Sequence, residues 1–399
     1  MKSIVPLFAA LAIAFAPSGQ AHASAKDPQV QSKAAKAKAA KAKAAAARSK
    51  KDKAAGKRVA LRSSKVLKAA PAAAAIDYDG EHHNFLEWNA VREFVDEMAS
   101  QHGFERTYLE SLFGQARFID SAVQLVKPAP PGKPKNWQAY RDRFIEPIRI
   151  AAGVRFWNEN AETLARAEAA YGVPAEIIVG IIGVETIYGR DTGRFRVLDT
   201  LATLAFAYPE TPNRAARMAF FRSELANTLI FAREHRVEPF SLLGSFAGAV
   251  GMPQFMPGNI LKYGVDFNKD GQIDLRQSSD DAIGSVANFL IQHGWNPEHR
   301  GSPVTPADVS PNHAWEPLLD RGLQATLRPE ELRAAGVTAA SALPAERLYG
   351  LVDLQNGAEA TEYWVADDNF FAITKYNRSY FYAMSVIELG RAVRASRGG

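Results

Sequence analysis

Pro174-Ala175-Glu176-Ile177-Ile178-Val179-Gly180-Ile181-Ile182-Gly183-Val184-Glu185-Thr186-Ile187-Tyr188-Gly189 is the stretch on which the reading of this 399-residue chain turns. Proline is favoured in a first helical turn and glycine ends helices, so the pattern predicts a helix from Pro174 through Tyr188 that stops at Gly189. Between Ile177 and Tyr188 the only charged residue is Glu185. Ile181 and Ile182, one turn back, and Ile178, two turns back, share its face. Apolar surroundings disfavour a charged carboxylate, and the negative end of the helix dipole opposes another negative charge. Both effects should raise its pKa. A carboxylic acid kept protonated near neutral pH is what general-acid cleavage of a glycosidic bond requires. The alternative is a structural carboxylate paired with Arg190 or Arg194, since structural ion pairs also perturb pKa values.

Outward from this helix, apolar residues recur at helical spacing over Asn84–His102, Tyr108–Phe113, Trp137–Phe144, Trp157–Tyr171, Val197–Tyr208, Met218–His235, Asp280–His293 and Tyr382–Arg394. Pro and Gly become frequent and apolar runs short between Ser302 and Ala372, which predicts a small mixed or β subdomain. The chain is expected to be mainly α (α+β). It divides into a helical domain at 81–150 joined by a C-terminal helix at 376–395, a core at 151–300, and the small subdomain at 301–375.

The N-terminus differs. A charged start, an apolar run over Ile4–Ala16 and the small-residue pattern Ala21-His22-Ala23 predict a secretory signal peptide at 1–23. With no cysteine in the chain there is no lipid-anchoring site, no disulfide framework and no thiolate metal site. Residues 24–68 carry 15 Lys+Arg and 2 acids, whereas 69–399 carry 32 basic and 41 acidic residues. The basic excess is therefore local, and nucleic acid is not an expected partner. Residues 24–80 read as a basic Ala/Lys-rich disordered tether, a solvated linker or, through 33–58, an electrostatic hold on an anionic envelope polymer or membrane surface.

Gly183-Val184-Glu185-Thr186, Tyr188-Gly189-Arg190 and Leu198-Asp199-Thr200-Leu201-Ala202-Thr203-Leu204-Ala205-Phe206 resemble the membrane-bound lytic transglycosylase B family. The resemblance continues, in order, through Gly244-Ser245-Phe246-Ala247-Gly248-Ala249, Gly251-Met252-Pro253-Gln254-Phe255-Met256-Pro257, Asp281-Ala282-Ile283-Gly284, His293-Gly294-Trp295 and Lys375-Tyr376-Asn377-Arg378-Ser379. It implies a lysozyme-like helical catalytic core whose partner is peptidoglycan glycan strands; from the leader and the missing cysteine the enzyme is expected to be periplasmic and not lipid-anchored, and a monomer is expected. The resemblance implies cleavage between N-acetylmuramic acid and N-acetylglucosamine by one carboxyl, Glu185, acting as acid and then base, with a 1,6-anhydro ring as product. Two-carboxylate glycosidases work differently, and no second acid stands in a comparable apolar setting in the sequence. A hydrolytic muramidase and a non-catalytic peptidoglycan-binding scaffold are the competing readings. By position, Ser245 would hydrogen-bond Glu185 or the sugar, Gln254 would bind a sugar hydroxyl or N-acetyl group, Tyr376 and Asn377 would close the cleft, and Tyr382 and Tyr140 would line it. Phe289 stands where the family often has tyrosine.

Asp266-Phe267-Asn268-Lys269-Asp270-Gly271-Gln272-Ile273-Asp274 fits the first nine positions of an EF-hand loop. Oxygen ligands fall at Asp266, Asn268, Asp270, the Gln272 carbonyl and Asp274. Gln277 occupies the position of the usual closing Glu, and the resemblance implies a longer loop, 266–281, closed by Asp281, with Asp280 the competitor. A structural Ca2+ is expected, and no organic cofactor.

Overall fold

The computed structural model describes residues 84–128 and 134–398. The expected leader at 1–23 and tether at 24–80 lie outside the described residues. The helices are α1 (Asn89–His102), α2 (Arg106–Gln115), α3 (Asp120–Leu125), α4 (Trp137–Arg141), α5 (Pro147–Glu159), α6 (Ala161–Tyr171), α7 (Ala175–Thr186), α8 (Val197–Ala207), α9 (Arg214–Glu234), α10 (Pro257–Tyr263), α11 (Ser279–Gln292), α12 (Pro329–Ala334), α13 (Asp368–Ile373) and α14 (Tyr380–Arg397). The strands are β1 (Phe195–Arg196), β2 (Leu243–Gly244), β3 (Val304–Val309), β4 (Val337–Ala339), β5 (Gly350–Asn356) and β6 (Glu359–Ala366). The fold is thus mainly α with small sheets, as the apolar spacing predicts.

Two differences from the predicted helices have local causes. The helix expected over Trp157–Tyr171 is two helices, parted at Asn160, whose φ of −116° lies outside the helical range and whose Nδ2 donates to the Phe156 carbonyl at 2.8 Å. The first of them begins at Pro147, with the Glu146 carboxylate accepting from the Ile148 and Arg149 amides. And α7 ends at Thr186, short of the expected stop at Gly189, because Ile187 and Tyr188 turn left-handed at φ 52° and 59°. The Tyr188 amide reaches back to the Ile182 carbonyl at 3.4 Å and the Ile187 amide to that of Gly183 at 3.2 Å, a nested pair of bonds one residue wider than a Schellman closure and built without a left-handed glycine. A β-branched residue in this region is a genuine outlier, of the kind that persists only where the surroundings over-determine it.

One apolar core runs from Phe85 to Val393. At its centre α7, buried along its length except at Glu176 and Glu185, lies against α14. The approach is close because glycines face it. A Cβ on Gly180 would collide with the Val386 carbonyl, and one on Gly390 with that of Glu176. The four-stranded antiparallel sheet, in the order β4-β3-β6-β5, separates this core from a smaller one. Alternate residues face opposite sides, so the paired Leu351 and Val365 join the small core with Trp315 and Leu332, while the paired Val352 and Trp364 face the large one.

Candidate active site

Glu185 lies in the last turn of α7, half-buried, with its carboxyl enclosed by protein. Burial pushes its pKa up to about 7, and the one opposing influence is the Tyr382 hydroxyl, which donates to Oε1 at 2.7 Å. Among the described residues neither a cation nor a second carboxylate acts on it, which speaks against the reading as an arginine-paired structural acid. Other buried acids are engaged differently. Asp199 pairs with Arg196 at 2.8 Å, Glu224 accepts from the Gly258 amide at 2.7 Å, and Asp281 and Asp367 accept from backbone amides. Each is explained by structure, which leaves Glu185 as the buried acid with chemistry to spare.

Arg149 stands behind it. Its side chain is 12% exposed, and Nη1 donates to the Gly183 carbonyl and, at 3.4 Å, to that of Val184. A cation at the carbonyl end of a helix offsets the dipole there, so it fixes the last turn that carries Glu185. Burial lowers the Arg149 pKa. The sequence offered no cue to this role, since Arg149 precedes the turn by more than thirty residues. Thr186, fully buried, ties the other side. Its hydroxyl donates to the Met252 carbonyl at 2.9 Å and accepts from the Gly189 amide at 3.0 Å.

The tyrosines named in the sequence gather around Glu185, with roles that differ from those expected. Tyr382 is fully enclosed on α14 and spends its hydroxyl on Glu185, so it positions the carboxyl. The Tyr376 ring stacks on that of Tyr382 with centroids 6.2 Å apart, and its hydroxyl donates to the Pro253 carbonyl at 2.6 Å, which fastens the segment before α14 to the Gly251–Pro257 loop. Phe289 packs under Tyr376 at 4.8 Å and stacks on His293 at 3.9 Å. Tyr140 is half-buried against Trp137 and Phe381, and burial, with the nearby Glu185 charge, pushes its phenol up to about 12. Asn377 is half-buried in the same segment as Tyr376.

Ser245 does not hydrogen-bond Glu185. Its hydroxyl accepts from the Ala249 amide at 3.1 Å and closes its own turn. Gln254 holds φ 51°, and its Nε2 donates to the Gly251 and Thr192 carbonyls at 2.9 and 3.3 Å. A non-glycine residue held left-handed in a loop facing an acid is the kind of strain that collects at functional sites.

The acidic loop is drawn in on itself. Asp266 Oδ1 and Asn268 Oδ1 both accept from the Asp270 amide, at 3.1 and 3.0 Å, Asp266 Oδ2 accepts from the Gly271 amide at 2.8 Å, and Asn268 Nδ2 donates to Asp270 Oδ2 at 2.9 Å. These three side chains converge, and Gly271 takes the φ of 91° that the turn needs. Asp281 is fully buried, with Oδ1 accepting from the Phe267 and Asn268 amides and Oδ2 from that of Asp274, so it anchors the loop from beneath. Asp274 turns its Oδ1 to the Arg276 and Gln277 amides, and Asp280 is taken by Thr163 and Arg166. Among the described residues no three acids or histidines stand close enough to hold a metal by themselves. The loop also reaches the site wall. The Met252 amide donates to the Leu275 carbonyl at 2.7 Å, and Arg276 Nη1 donates to the Gly193 and Leu243 carbonyls at 3.1 and 3.2 Å.

Tyr382 makes a direct prediction. Its donated hydrogen bond favours the charged form of Glu185, so Tyr382→Phe should raise the Glu185 pKa further. A reaction that draws its proton from Glu185 should slow as pH rises through about 7. In the variant that alkaline limb should move to higher pH, with a lower maximum. A pH profile of kcat on glycan fragments reads both, and an unmoved limb would refute the positioning role.

Comparison with known proteins agrees with this geometry. The transglycosylase SLT domain family matches residues 86–391. The chain is 42% identical over 316 residues to membrane-bound lytic murein transglycosylase B of Escherichia coli, covering 77% of this chain and 83% of that protein. It is similar to the crystal structure of the soluble lytic transglycosylase SltB1 from Pseudomonas aeruginosa, with TM-score 0.71, 44% identity, and 78% of this chain and 100% of that one covered. The Escherichia coli lytic transglycosylase Slt35 in complex with calcium superposes with TM-score 0.70 at 38% identity, covering 82% and 99% of the two chains. A match of this extent settles the family. The chain belongs to the transglycosylase SLT domain family and is a lytic transglycosylase of peptidoglycan.

Proposed function

We propose that Glu185 is the sole catalytic carboxyl and that the product is a 1,6-anhydromuramic end. The observation that carries this reading is a buried carboxyl with a pKa of about 7, one hydroxyl partner and no second carboxylate beside it. Protonated Glu185 gives its proton to the oxygen joining C1 of N-acetylmuramic acid to C4 of N-acetylglucosamine, and the C1–O bond breaks. The carboxylate left behind takes the proton of the C6 hydroxyl on the same muramic acid as O6 bonds to C1. Glu185 ends protonated and no water is consumed. A group that must both give and take a proton works best with a pKa near ambient pH, which half-burial with one hydrogen bond supplies. Ser245, Gln254, Asn377 and Tyr140 face the sugars, while Tyr376 and Tyr382 hold the loop and the acid in place.

Calcium serves as a structural clip. Hard oxygen donors from Asp266, Asn268 and Asp270 converge in a loop with EF-hand spacing. They would hold the ion with the Gln272 carbonyl, and Asp274 and Asp281 complete the acidic set. The ion would offset the mutual repulsion of these carboxylates. The leader at 1–23 would export the enzyme to the periplasm, where it acts as a monomer with helical, catalytic and small mixed domains at 81–150, 151–300 and 301–375.

Digestion of purified sacculi followed by mass spectrometry tests the chemistry. Anhydro ends are lighter by one water than hydrolytic ends, and a digest dominated by hydrolytic ends would overturn the mechanism. For the clip, millimolar calcium should raise the melting temperature over chelator by a few degrees, since a ligand at about 100 times its Kd adds about 2.7 kcal/mol. Asp270→Ala should abolish that shift, and equal melting of the parent in both buffers would remove calcium from the account.

A further inference from the structure

A cationic cavity of about 520 Å³ lies apart from Glu185. Arg300, Arg347 and Arg391 line it, with Ser302, Trp364 and Asp367. Arg391 follows Tyr382 on α14 by nine residues, which places it roughly 13 Å along the axis and on the opposite side of the helix. The cavity opens into a larger one of about 1030 Å³ at the N-terminal end of α7 that shares Arg300, Ser302 and Arg391.

Its three guanidinium groups meet one acid on the wall itself, while Glu388 lies near Arg391 and the adjoining larger cavity adds Glu168, Glu176 and Glu298. Arg391 donates to the Ser302 hydroxyl, and Arg347 is 3.7 Å from Asp367 Oδ2. Asp367 is the one acid on the wall, and its Oδ1 is already committed to the Asn369 and Phe370 amides at 3.0 and 3.4 Å. The wall is therefore net positive in a part of the chain, residues 69–399, where 41 acids outnumber 32 basic residues. Like charges gathered in a concavity repel one another unless an anion joins them. Arginine forks match carboxylates, often with two parallel hydrogen bonds. The half-buried Trp364 gives the same cavity an apolar wall, and ligand sites combine such walls with a few convergent polar groups.

We propose that this cavity binds the carboxylates of a peptidoglycan stem peptide. The ligand class rests on the peptidoglycan reading, whereas the existence of a carboxylate site does not. An extended stem of four residues spans roughly 13 Å, too short to reach from the bond beside Glu185 around α14, so the source is a stem on a sugar farther along the strand being cut or one from a neighbouring strand.

The test uses the full chain and the free tetrapeptide L-Ala-D-Glu-diaminopimelate-D-Ala, titrated calorimetrically beside the same peptide with its carboxylates amidated. The acid form should bind, and the amidated form should bind about tenfold more weakly or worse, as should the acid form to Arg391→Ala. Arg300 is exposed, so Arg300→Ala keeps the test valid if the Arg391 variant fails to fold. Both variants should cut peptide-free glycan at the parental rate. Free tetrapeptide that competes with stem-bearing fragments, together with a raised KM on those fragments in both variants, assigns the site to the strand being cut, whereas tetrapeptide that binds without competing, with KM unchanged, assigns it to a neighbour. Equal affinity for acid and amidated peptide, or equal affinity in parent and both variants, overturns the proposal. A parent that releases hydrolytic instead of anhydro ends would overturn the one-carboxyl mechanism, and the titration would still decide the cavity.

Discussion

Glu185→Gln should leave the fold and glycan binding intact while removing nearly all release of anhydro-ended fragments. The amide keeps the shape and can still accept from Tyr382, but it has no proton to give. Loss of a general acid costs on the order of 100- to 10,000-fold, and because the same carboxyl acts twice the upper end is expected. The same substitution carries a stability signature. In the fold this carboxyl titrates near 7, against an ordinary 4.5, so the native state holds the proton more tightly than the unfolded chain. Its contribution therefore falls as pH rises from about 4.5 to about 7, by up to about 3 kcal/mol. The Gln variant should melt higher than the parent at pH 8 and equal it near pH 4. Melting scans at the two pH values read this beside the digest. Appreciable anhydro product from the variant would remove Glu185 from the mechanism.

Gly180→Ala should be among the most damaging single-methyl additions in the molecule. The new Cβ would lie well inside 3.0 Å of the Val386 carbonyl oxygen. The obstacle is backbone, which cannot swing aside as a side chain would, so α7 and α14 must part. Overpacking a well-filled core costs about 1–3 kcal/mol, occasionally more, and the upper value is expected here, a fall in melting temperature of roughly 5–10 °C. Because α14 carries Tyr382 and α7 carries Glu185, activity measured well below the melting point should fall too. An unchanged melting temperature would show that the two helices have slack that the contact denies.

Much of this was legible in the residues. Periodicity located the long helices because each buries one stripe of apolar side chains, and Glu185 stood out because a lone charge in an apolar run must be either paired or used. The turn at Ile187 and Tyr188 was not legible, since β-branched and aromatic residues carry no local preference for a left-handed backbone. It is imposed by partners distant in sequence, Thr186 on the Met252 carbonyl among them. The bond from Tyr382 to Glu185 joins residues 197 apart, a separation across which no spacing rule operates. Position within the family resemblance brought the two tyrosines to the site, but only packing shows that Tyr382 grips the acid and Tyr376 the loop. Of the two roles offered for Ser245, the bond to Glu185 is not made, for a related reason. A serine in a tight turn satisfies the nearest amide first, and that amide is Ala249. The split at Asn160 escaped because no proline or glycine marks it.

Tyr188 has a consequence for how such a sequence can change over generations. Its phenol fills the space where a Cβ on Gly153 or on Gly183 would lie. Shrinking the tyrosine alone frees neither glycine, because a Cβ on Gly153 would also meet Val393 and one on Gly183 would also meet Leu389, both on α14. Each single step through an exchange of these residues passes a clash or a hole. The five positions therefore form one heritable unit, to be kept whole or exchanged whole, and mutational libraries that vary them one at a time would record each as immutable although the set is not.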